Sequence, residues 1–282
     1  MLTRQRKRLI LEKVQAEGHV IAKSISHELG ISEDTIRRDL RELAQEGLLQ
    51  RVHGGALAAS PAVADFAGRQ LFGTDGKSAI GRTAARMIRS GQVVILDGGT
   101  TAVEIARHLS PELRATVVTH SPTIAVELVR HPGVEVVILG GRLFKHSVVA
   151  VGAALVEAAS RIRADIYFMG VTGVHVEAGL STGDLEEADV KRALSSRAAE
   201  TIVLASAEKL NAASPYVIAP LSEVSGIIVE ADTPEEVVAD FRRLGINRYA
   251  RVIDGPLLKA TATAAPHENR FVSDRSFMGA TS

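Results

Sequence analysis

The segment 32–46 carries the pattern that most restricts what this chain can fold into. Its first residue, Ser32, is a natural N-cap, and two acidic residues follow in the first turn, where the helix dipole favours them. Apolar residues then recur at four- and three-residue spacing, at Ile36, Leu40 and Leu43. Arg38 and Arg41 fall away from this stripe, with Thr35 and Arg37 beside them. The spacing predicts a short helix whose arginine-rich side fits the DNA major groove, although a solvated surface helix has the same pattern.

The residues on either side of this helix favour the DNA-binding interpretation. A second amphipathic helix is closed by Gly30, and its apolar positions are Ile21, Ile25 and Leu29. Two helices joined by so short a glycine-containing turn are typical of a helix-turn-helix. A further helix is predicted from about Thr3 to Glu17. After Gly47, a strand over 48–52 and a turn at 53–55 predict a β-wing, in which Arg51 and His53 either reach phosphates or are ordinary exposed hairpin residues.

The distribution of charge gives weak support to site-specific DNA binding. The first 60 residues hold ten Lys and Arg against eight Asp and Glu, a difference of +2, while the whole chain holds 33 of each. A protein that coats DNA indiscriminately would be much more basic. A small local excess on a neutral chain is typical of a binder that recognises a specific site and doubles its contacts by dimerising.

The composition sets the limits for the rest of the chain. With 282 residues, 46% of them hydrophobic, it can bury one large core beside a small domain, and with 4% aromatic residues that core must be aliphatic. The absence of cysteine excludes disulfides and thiolate zinc sites, and no metal or cofactor is expected. No apolar run reaches membrane-spanning length, and the charged start lacks the apolar segment of a signal peptide. We therefore expect a soluble, cytoplasmic protein.

The segment 77–253 alternates apolar strands with helices. Such alternation predicts an α/β domain with a mostly parallel sheet covered on both faces. The expected organisation is a DNA-binding domain over 1–57, a linker over 58–76 with one short helix near Phe66, the α/β domain over 77–253, and a disordered tail over 254–282.

Three turns at the predicted strand ends are candidates for a ligand site, because ligands of such sheets bind beyond the carboxyl ends of the strands. The turn 97–101 combines glycines with hydroxyls before a helix, which suits an anion, although a plain threonine-capped turn has the same sequence. His120 is either a ligand donor or a cap, and Arg142 either pairs with a phosphate or belongs to an ordinary hairpin.

Both parts of the chain resemble the DeoR family of bacterial transcription regulators. The first resemblance lies in Ile31-Ser-Glu-Asp-Thr-Ile-Arg-Arg-Asp-Leu-Arg-Glu-Leu and Gly47-Leu-Leu-Gln-Arg-Val-His-Gly-Gly-Ala, which is similar to the family's winged helix-turn-helix. It implies operator binding, with Thr35, Arg37 and Arg38 nearest the DNA. The set predicted to face DNA comprises Ser32, Thr35, Arg37, Arg38, Arg41, Arg51 and His53.

The second resemblance covers residues 77 to about 253. It lies in Asp97-Gly-Gly-Thr-Thr, Gly140-Gly-Arg, Gly170-Val-Thr-Gly, Glu187-Ala-Asp-Val-Lys and Lys209. It implies a sensor of phosphorylated sugars with the fold of ribose-5-phosphate isomerase and glucosamine-6-phosphate deaminase. The effector-binding set predicted from these strings and turns is Asp97, Gly98, Gly99, Thr100, Thr101, Thr119, His120, Gly140, Gly141, Arg142, Gly170, Gly173, Lys191 and Lys209. The chain departs from the family at His120, where Asn is usual, and at Ser206, where an acid is usual.

The leading hypothesis is a DNA-binding transcription regulator that represses a sugar or carbohydrate catabolic operon and is relieved by a phosphorylated sugar. It would act on double-stranded operator DNA as a homo-oligomer, a dimer or a tetramer, and would not be an enzyme. One alternative is a sugar-phosphate isomerase or deaminase with an appended DNA-binding domain, and another is an architectural DNA-binding protein without a ligand.

Overall fold

A computed structural model describes residues 2–60, 62, 64–244, 246 and 248–251. The N-terminal part holds three helices and a three-strand antiparallel wing, in which the third strand pairs with both others. The helices are α1 (Thr3–Glu17), α2 (Ala22–Leu29) and α3 (Glu33–Gln45), and the strands are β1 (His19–Ile21), β2 (Leu49–Val52) and β3 (Gly55–Ala59). The predicted winged helix-turn-helix is confirmed.

The core of this domain is formed by the predicted apolar stripes. Buried residues contributed by the three helices include Ile10, Val14, Ile25, Ile36, Leu40 and Leu43. The assignment of Ile21 to the second helix is wrong: it lies in β1, opposite Gly55, and its side chain is exposed. This strand pairs with β3, more than 30 residues later in the chain, and helical periodicity cannot reveal such a long-range pairing.

A buried ion pair joins α1 to α3. The guanidinium of Arg6 donates to both carboxylate oxygens of Asp39, with Nη2 3.0 Å from Oδ1. Asp39 is fully buried, and the pairing raises the pKa of Arg6. This ion pair holds α1 against α3. The Asp39 side chain points into the domain, away from the exposed arginines of the same helix, Arg37, Arg38 and Arg41.

The C-terminal part is built on a seven-strand sheet in which each pair of neighbours runs parallel. The order of the strands is β16-β15-β12-β9-β4-β5-β6. In chain order they are β4 (Val93–Leu96), β5 (Ala115–Thr119), β6 (Val134–Ile138), β9 (Ala164–Gly170), β12 (Ala198–Ala205), β15 (Gly226–Val229) and β16 (Arg248–Arg251).

Helices cover both faces of this sheet, as predicted. One face packs against helices α5 (Thr74–Ala85), α6 (Thr100–Arg107) and α7 (Pro122–Leu128). The other packs against helices α8 (Ala153–Ala159), α9 (Leu185–Ser195) and α10 (Glu235–Arg243). Each face has its own apolar core, and both are mostly aliphatic. The predicted fold class, a winged helix-turn-helix followed by a doubly covered parallel α/β domain, is confirmed.

Short strands complete the domain at the carboxyl side of the large sheet. One hairpin pairs β7 (Arg142–Phe144) with β8 (Val149–Val151), and a three-strand sheet contains β10 (Gly173–His175), β11 (Gly179–Thr182) and β14 (Tyr216–Ala219). The strand β13 (Ala212–Ala213) belongs to neither: it pairs in parallel with β3 of the wing. The two parts of the chain therefore share a sheet.

The segment predicted as a linker, 58–76, contains more structure than expected. The strand β3 continues to Ala59, the short helix α4 (Phe66–Arg69) follows, and α5 already begins at Thr74. Alanine-rich sequence has little hydrophobic periodicity, so the end of β3 cannot be separated from a linker by pattern alone. The tail predicted over 254–282 lies outside the described residues.

Within the described residues, none of the helices combines the length and the apolar character that crossing a membrane requires.

Candidate functional site

The outer surface of α3 is held in place by a capping interaction at its start. The Ser32 hydroxyl accepts a hydrogen bond from the Thr35 backbone N–H at 3.3 Å and lies 2.9 Å from the Thr35 hydroxyl. Because Ile36, Leu40 and Leu43 are buried against the rest of the domain, the other side of the helix is turned outward. Of the residues predicted to face DNA, Arg37, Arg38 and Arg41 are exposed there.

These three arginines differ in how freely they can bind. Arg37 pairs with Glu33 one turn earlier, with Nη2 2.6 Å from Oε1. For Arg38 and Arg41, the described part of the chain offers no carboxylate within ion-pair distance. The wing adds Arg51 and His53, both exposed beside the turn at Gly54. The unpaired guanidiniums have all their donors available for phosphates or base edges.

The carboxyl ends of the large sheet are organised around Asp97. This residue directly follows β4 and is fully buried. Its Oδ1 accepts from the Gly98 N–H at 2.8 Å and lies 2.7 Å from His120 Nε2. Its Oδ2 accepts from Tyr167, from the Gly170 N–H and from Lys191 Nζ, at 2.9, 2.8 and 2.6 Å. One carboxylate thus joins three neighbouring strands to helix α9.

The surroundings of Asp97 keep it ionised. Burial alone would raise the pKa of its carboxyl, but the charge of Lys191 and the hydrogen bond from His120 outweigh burial and hold that pKa well below the ordinary value. Burial beside Asp97 in turn raises the pKa of Tyr167, which stays a neutral donor. A carboxylate so fully engaged has no free lone pair for a ligand, so Asp97 supports the site from beneath.

Above Asp97, the turn 98–101 opens into a pocket. Gly98 packs so closely that a Cβ would come 2.1 Å from Val149, and Gly99 has a φ of +115°, a conformation that L side chains rarely adopt. The turn leads into α6, whose first N–H groups have no intrahelical acceptor. The pocket walls are Arg69, Lys77, Gly98, Gly99, Thr100, Thr101, Ala102, Ser147, Gly170, Val171, Thr172, Thr182, Glu187, Lys191, Glu208 and Lys209.

Lys209 reaches the pocket from the loop after β12. Its ammonium is buried, 3.4 Å from the Thr101 hydroxyl and 3.3 Å from the Leu204 carbonyl. Burial and the neighbouring cations, offset in part by Glu208, lower its pKa to about 8. Close to neutral pH, this group is a cation that forms no ion pair with a carboxylate of the described residues, and it faces the hydroxyl of Thr101 in the glycine-rich turn.

Seven of the predicted effector-binding residues line this pocket, namely Gly98, Gly99, Thr100, Thr101, Gly170, Lys191 and Lys209. Asp97 lies behind the wall. His120 is also behind it, because its ring is held between Asp97 and the Ala150 carbonyl, and Thr119 is fully buried, with its hydroxyl accepting from the Ser121 N–H. These two residues support the turn without lining the pocket.

The remaining predicted residues lie elsewhere. Gly140, Gly141 and Arg142 are exposed, and Arg142 pairs with Glu186 at the surface. Gly173 is buried in β10, where a Cβ would meet the Ala212 carbonyl at 2.6 Å. All four follow strands of the large sheet in sequence, but the first three lie at the start of the hairpin β7–β8, which is exposed to solvent there.

Sequence reasoning missed several walls of the pocket, namely Arg69, Lys77, Ser147, Thr172, Thr182, Glu187 and Glu208. Arg69 and Lys77 come from the segment around α4 and α5, where no strand end pointed to a ligand. Ser206 stands where the family usually has an acid. It is buried and donates to Glu208 at 2.7 Å, and Glu208, two residues later, supplies a carboxylate to the pocket instead.

Comparisons with known proteins identify both parts of the chain. A DeoR-like helix-turn-helix domain matches residues 6–62, and the DeoR C terminal sensor domain matches residues 73–231. The HTH-type transcriptional regulator GlpR of Haloferax volcanii is 35% identical over 243 residues, which are 84% of this chain and 95% of that protein. A putative aga operon transcriptional repressor of Escherichia coli O157:H7 is 30% identical over 251 residues, 86% of this chain and 92% of that protein.

Among solved structures, ribose 5-phosphate isomerase A from Methanocaldococcus jannaschii covers 49% of this chain and 54% of its own, at 20% identity and a TM-score of 0.37. This likeness is too weak to bear on function. The family is instead established by the two family matches and by the two relatives, which are transcriptional regulators matched over more than 90% of their length. The chain belongs to the DeoR family of transcriptional regulators, and it is a DNA-binding regulator rather than an enzyme.

Proposed function

We propose that this protein represses a carbohydrate catabolic operon and leaves its operator when a phosphorylated sugar fills the pocket above Asp97. In this proposal it acts in the cytoplasm as a homo-oligomer whose paired α3 helices enter successive major grooves. The observation that carries the proposal is the pocket itself, a cationic cleft joined to the wing by a shared strand pairing.

The charge of the pocket favours a dianion. Its walls hold four cationic side chains, Arg69, Lys77, Lys191 and Lys209, against the carboxylates of Glu187 and Glu208, a difference of +2. A phosphate monoester carries close to two negative charges at neutral pH. Glycine-rich backbone at the start of α6 lets the phosphate approach free N–H groups, as in other phosphate sites at helix N-termini.

The other side of the pocket suits sugar hydroxyls. Thr172, Thr182 and Glu187 line it, and Glu187 accepts from the Thr182 hydroxyl at 3.4 Å. The threonine hydroxyls can donate to and accept from the hydroxyls of a polyol, and the carboxylate can accept from them. The pocket therefore offers cationic groups for a phosphate together with hydroxyl and carboxylate groups for a sugar, which supports a phosphorylated sugar over an unphosphorylated one.

A short connection joins the pocket to the wing. Lys209 is followed after two residues by β13, which pairs with β3 at Ala58 and Ala59. On the other side of β13, Ser214 lies 2.7 Å from the Thr172 hydroxyl. Both ends of β13 are thus held by residues that line the pocket. A ligand in the pocket therefore lies close to the strand pairing that joins the sensor domain to the wing.

Operator binding in the presence of candidate effectors tests this proposal. Selection from genomic fragments would supply the operator, and fluorescence anisotropy at constant ionic strength would measure its affinity with and without phosphorylated sugars and their unphosphorylated forms. We expect at least tenfold weaker operator binding with one phosphorylated sugar, a coupling of about 1.4 kcal/mol, and no effect of its unphosphorylated form. An operator affinity that no phosphorylated metabolite changes would refute the effector part of the proposal.

A further inference from the structure

Arg69 stands apart from the other cationic walls of the pocket because two of its buried nitrogen atoms have no acceptor in the described part of the chain. Its Nε and Nη2 atoms are buried and, in the described part of the chain, make no hydrogen bond. By contrast, Lys191 donates to Asp97, Lys209 donates to Thr101, and Lys77 donates to the Arg69 and Phe72 carbonyls at 2.7 and 2.6 Å. Buried donors are normally satisfied, so an unsatisfied guanidinium in a pocket is an opening for an anion.

Arg69 lies in the segment that connects the winged domain to the sensor domain. It ends α4, which lies between the last strand of the wing and α5. Burial lowers the pKa of its guanidinium, an indication that no neighbouring carboxylate compensates for its desolvation in full. The segment is held by the bond from Phe66 N–H to the His146 carbonyl, by packing of Phe66 against one apolar core of the domain, and by Lys77, which donates to the Arg69 carbonyl.

Arg69 also borders the winged domain. A second cavity, of about 300 Å³, lies next to the pocket and shares the walls Arg69, Ser147, Thr172 and Glu187 with it. The opposite wall of that cavity comes from Ala44 near the end of α3 and from Gly47 and Leu49, at the start of the wing. Arg69 is therefore one of four residues that border both the pocket and the cavity at the end of the DNA-facing helix.

From these contacts we propose that Arg69 transmits pocket occupancy to the DNA-binding domain. An anion in the pocket accepts from its free Nε and Nη2, draws the guanidinium away from the second cavity and moves α4 with it. The wall beneath α3 then changes, and the two winged domains no longer match the operator. This inference rests on the proposed function, since it assigns a role within the same response.

Three variants of the full-length protein separate binding from transmission. Arg69→Met removes the donors, Lys209→Met removes a cation that does not border the second cavity, and Arg142→Met makes the matched change at an exposed arginine outside the pocket. Inorganic phosphate, glycerol 3-phosphate and ribose 5-phosphate serve as probes. Ligand binding is read from the rise in melting temperature and operator affinity from anisotropy, both against chloride at equal ionic strength.

For each variant, operator affinity is compared with and without probe, so that any change in the ligand-free affinity cancels. At probe concentrations that saturate its own thermal shift, the operator affinity of Arg69→Met should change less than twofold. Lys209→Met should need at least fivefold more probe yet still release the operator when saturated, and Arg142→Met should behave as the original protein. Full release by saturated Arg69→Met would overturn the inference, as would a fall of its ligand-free melting temperature well below that of Arg142→Met.

Failure of the proposed function gives a different result. If no probe changes operator binding by the unaltered protein, the assigned effector response is wrong for these ligands and the transmission role falls with it. The thermal shift with inorganic phosphate still tests the anion contact: a shift that is smaller in Arg69→Met than in Arg142→Met supports the contact, and equal shifts refute it.

Discussion

Replacing Asp97 by Asn tests the claim that one buried carboxylate holds the floor of the pocket together. Both oxygens of this carboxylate accept, and the donors are two backbone N–H groups, Tyr167, His120 and Lys191. An amide of the same shape carries no charge and turns an NH₂ group towards donors. It leaves the Lys191 ammonium, which is 4% exposed, without the carboxylate that it donates to at 2.6 Å.

The expected cost follows from the burial of the pair. Removing one partner of a buried ion pair typically costs about 3–5 kcal/mol, because the other charge stays buried without compensation. For a domain of this size, each kcal/mol lowers the melting temperature by roughly 2–4 °C, so the expected fall is roughly 6–20 °C. Such a loss is a large part of the roughly 5–15 kcal/mol that stabilises a typical domain.

Urea unfolding followed by far-ultraviolet circular dichroism measures this loss, since the chain contains no tryptophan to report by fluorescence. Asp189→Asn is the matched control, because Asp189 lies on the same helix as Lys191 but is exposed and pairs with Arg192. It should cost about 0–1 kcal/mol. A loss for Asp97→Asn within 1 kcal/mol of the control would refute the assigned role.

Two further measurements examine the same pair. Adding Lys191→Met to Asp97→Asn removes the unpaired ammonium, so the double variant should be more stable than the sum of the two single changes predicts. The acid dependence has a fixed sign. Because the folded pKa of Asp97 lies below its ordinary value, its contribution is present at neutral pH and is lost as the pH falls below about 4 towards that lower pKa.

Three other changes test the DNA-binding surface, the pocket and the wing. Arg38→Ala should lose about 1–3 kcal/mol of operator affinity, measured by anisotropy. Arg37→Ala should lose less, because Arg37 is already paired with Glu33. An equal loss of affinity for random DNA would make Arg38 a phosphate contact. Affinity for a phosphate ester, measured calorimetrically, should fall as the pH rises through about 8, where the Lys209 ammonium deprotonates, and Lys209→Met should abolish that dependence. Gly55→Ala should destabilise the wing and weaken operator binding, because the new Cβ would lie 1.9 Å from a carbonyl of the neighbouring strand, whereas Gly140→Ala, with nothing within 4 Å, should change neither quantity.

Local sequence patterns were sufficient for α1 and α3 of the winged domain and for the turn after β4, whereas for α2 they included Ile21, which belongs to β1. The cap at Ser32 and the stripe through Ile36 and Leu40 depend on residues within a few positions of one another, and the structure has them as predicted. The apolar strands of the large sheet were likewise predicted from short apolar runs. Such features need no knowledge of distant parts of the chain.

Features that depend on distant residues were not predictable. His120 reads as a possible ligand donor, but its ring is occupied by Asp97, 23 positions earlier, and by a carbonyl 30 positions later. Arg69 falls in the predicted linker and Lys77 is the first residue of the predicted α/β domain, yet the fold brings both to the pocket beside Lys209. The order of the sheet, in which β9 separates β4 from β12, is likewise set by packing across the whole domain.

The parallel pairing of β3 with β13 has a consequence for how the protein can be divided. A fragment that ends near residue 60 would retain β3 but lose Ala212 and Ala213, so the last part of its strand would present an open edge. Open edges invite pairing with other chains, by exchange between copies or by aggregation. Excised winged domains of this protein should therefore self-associate at concentrations where the intact chain does not.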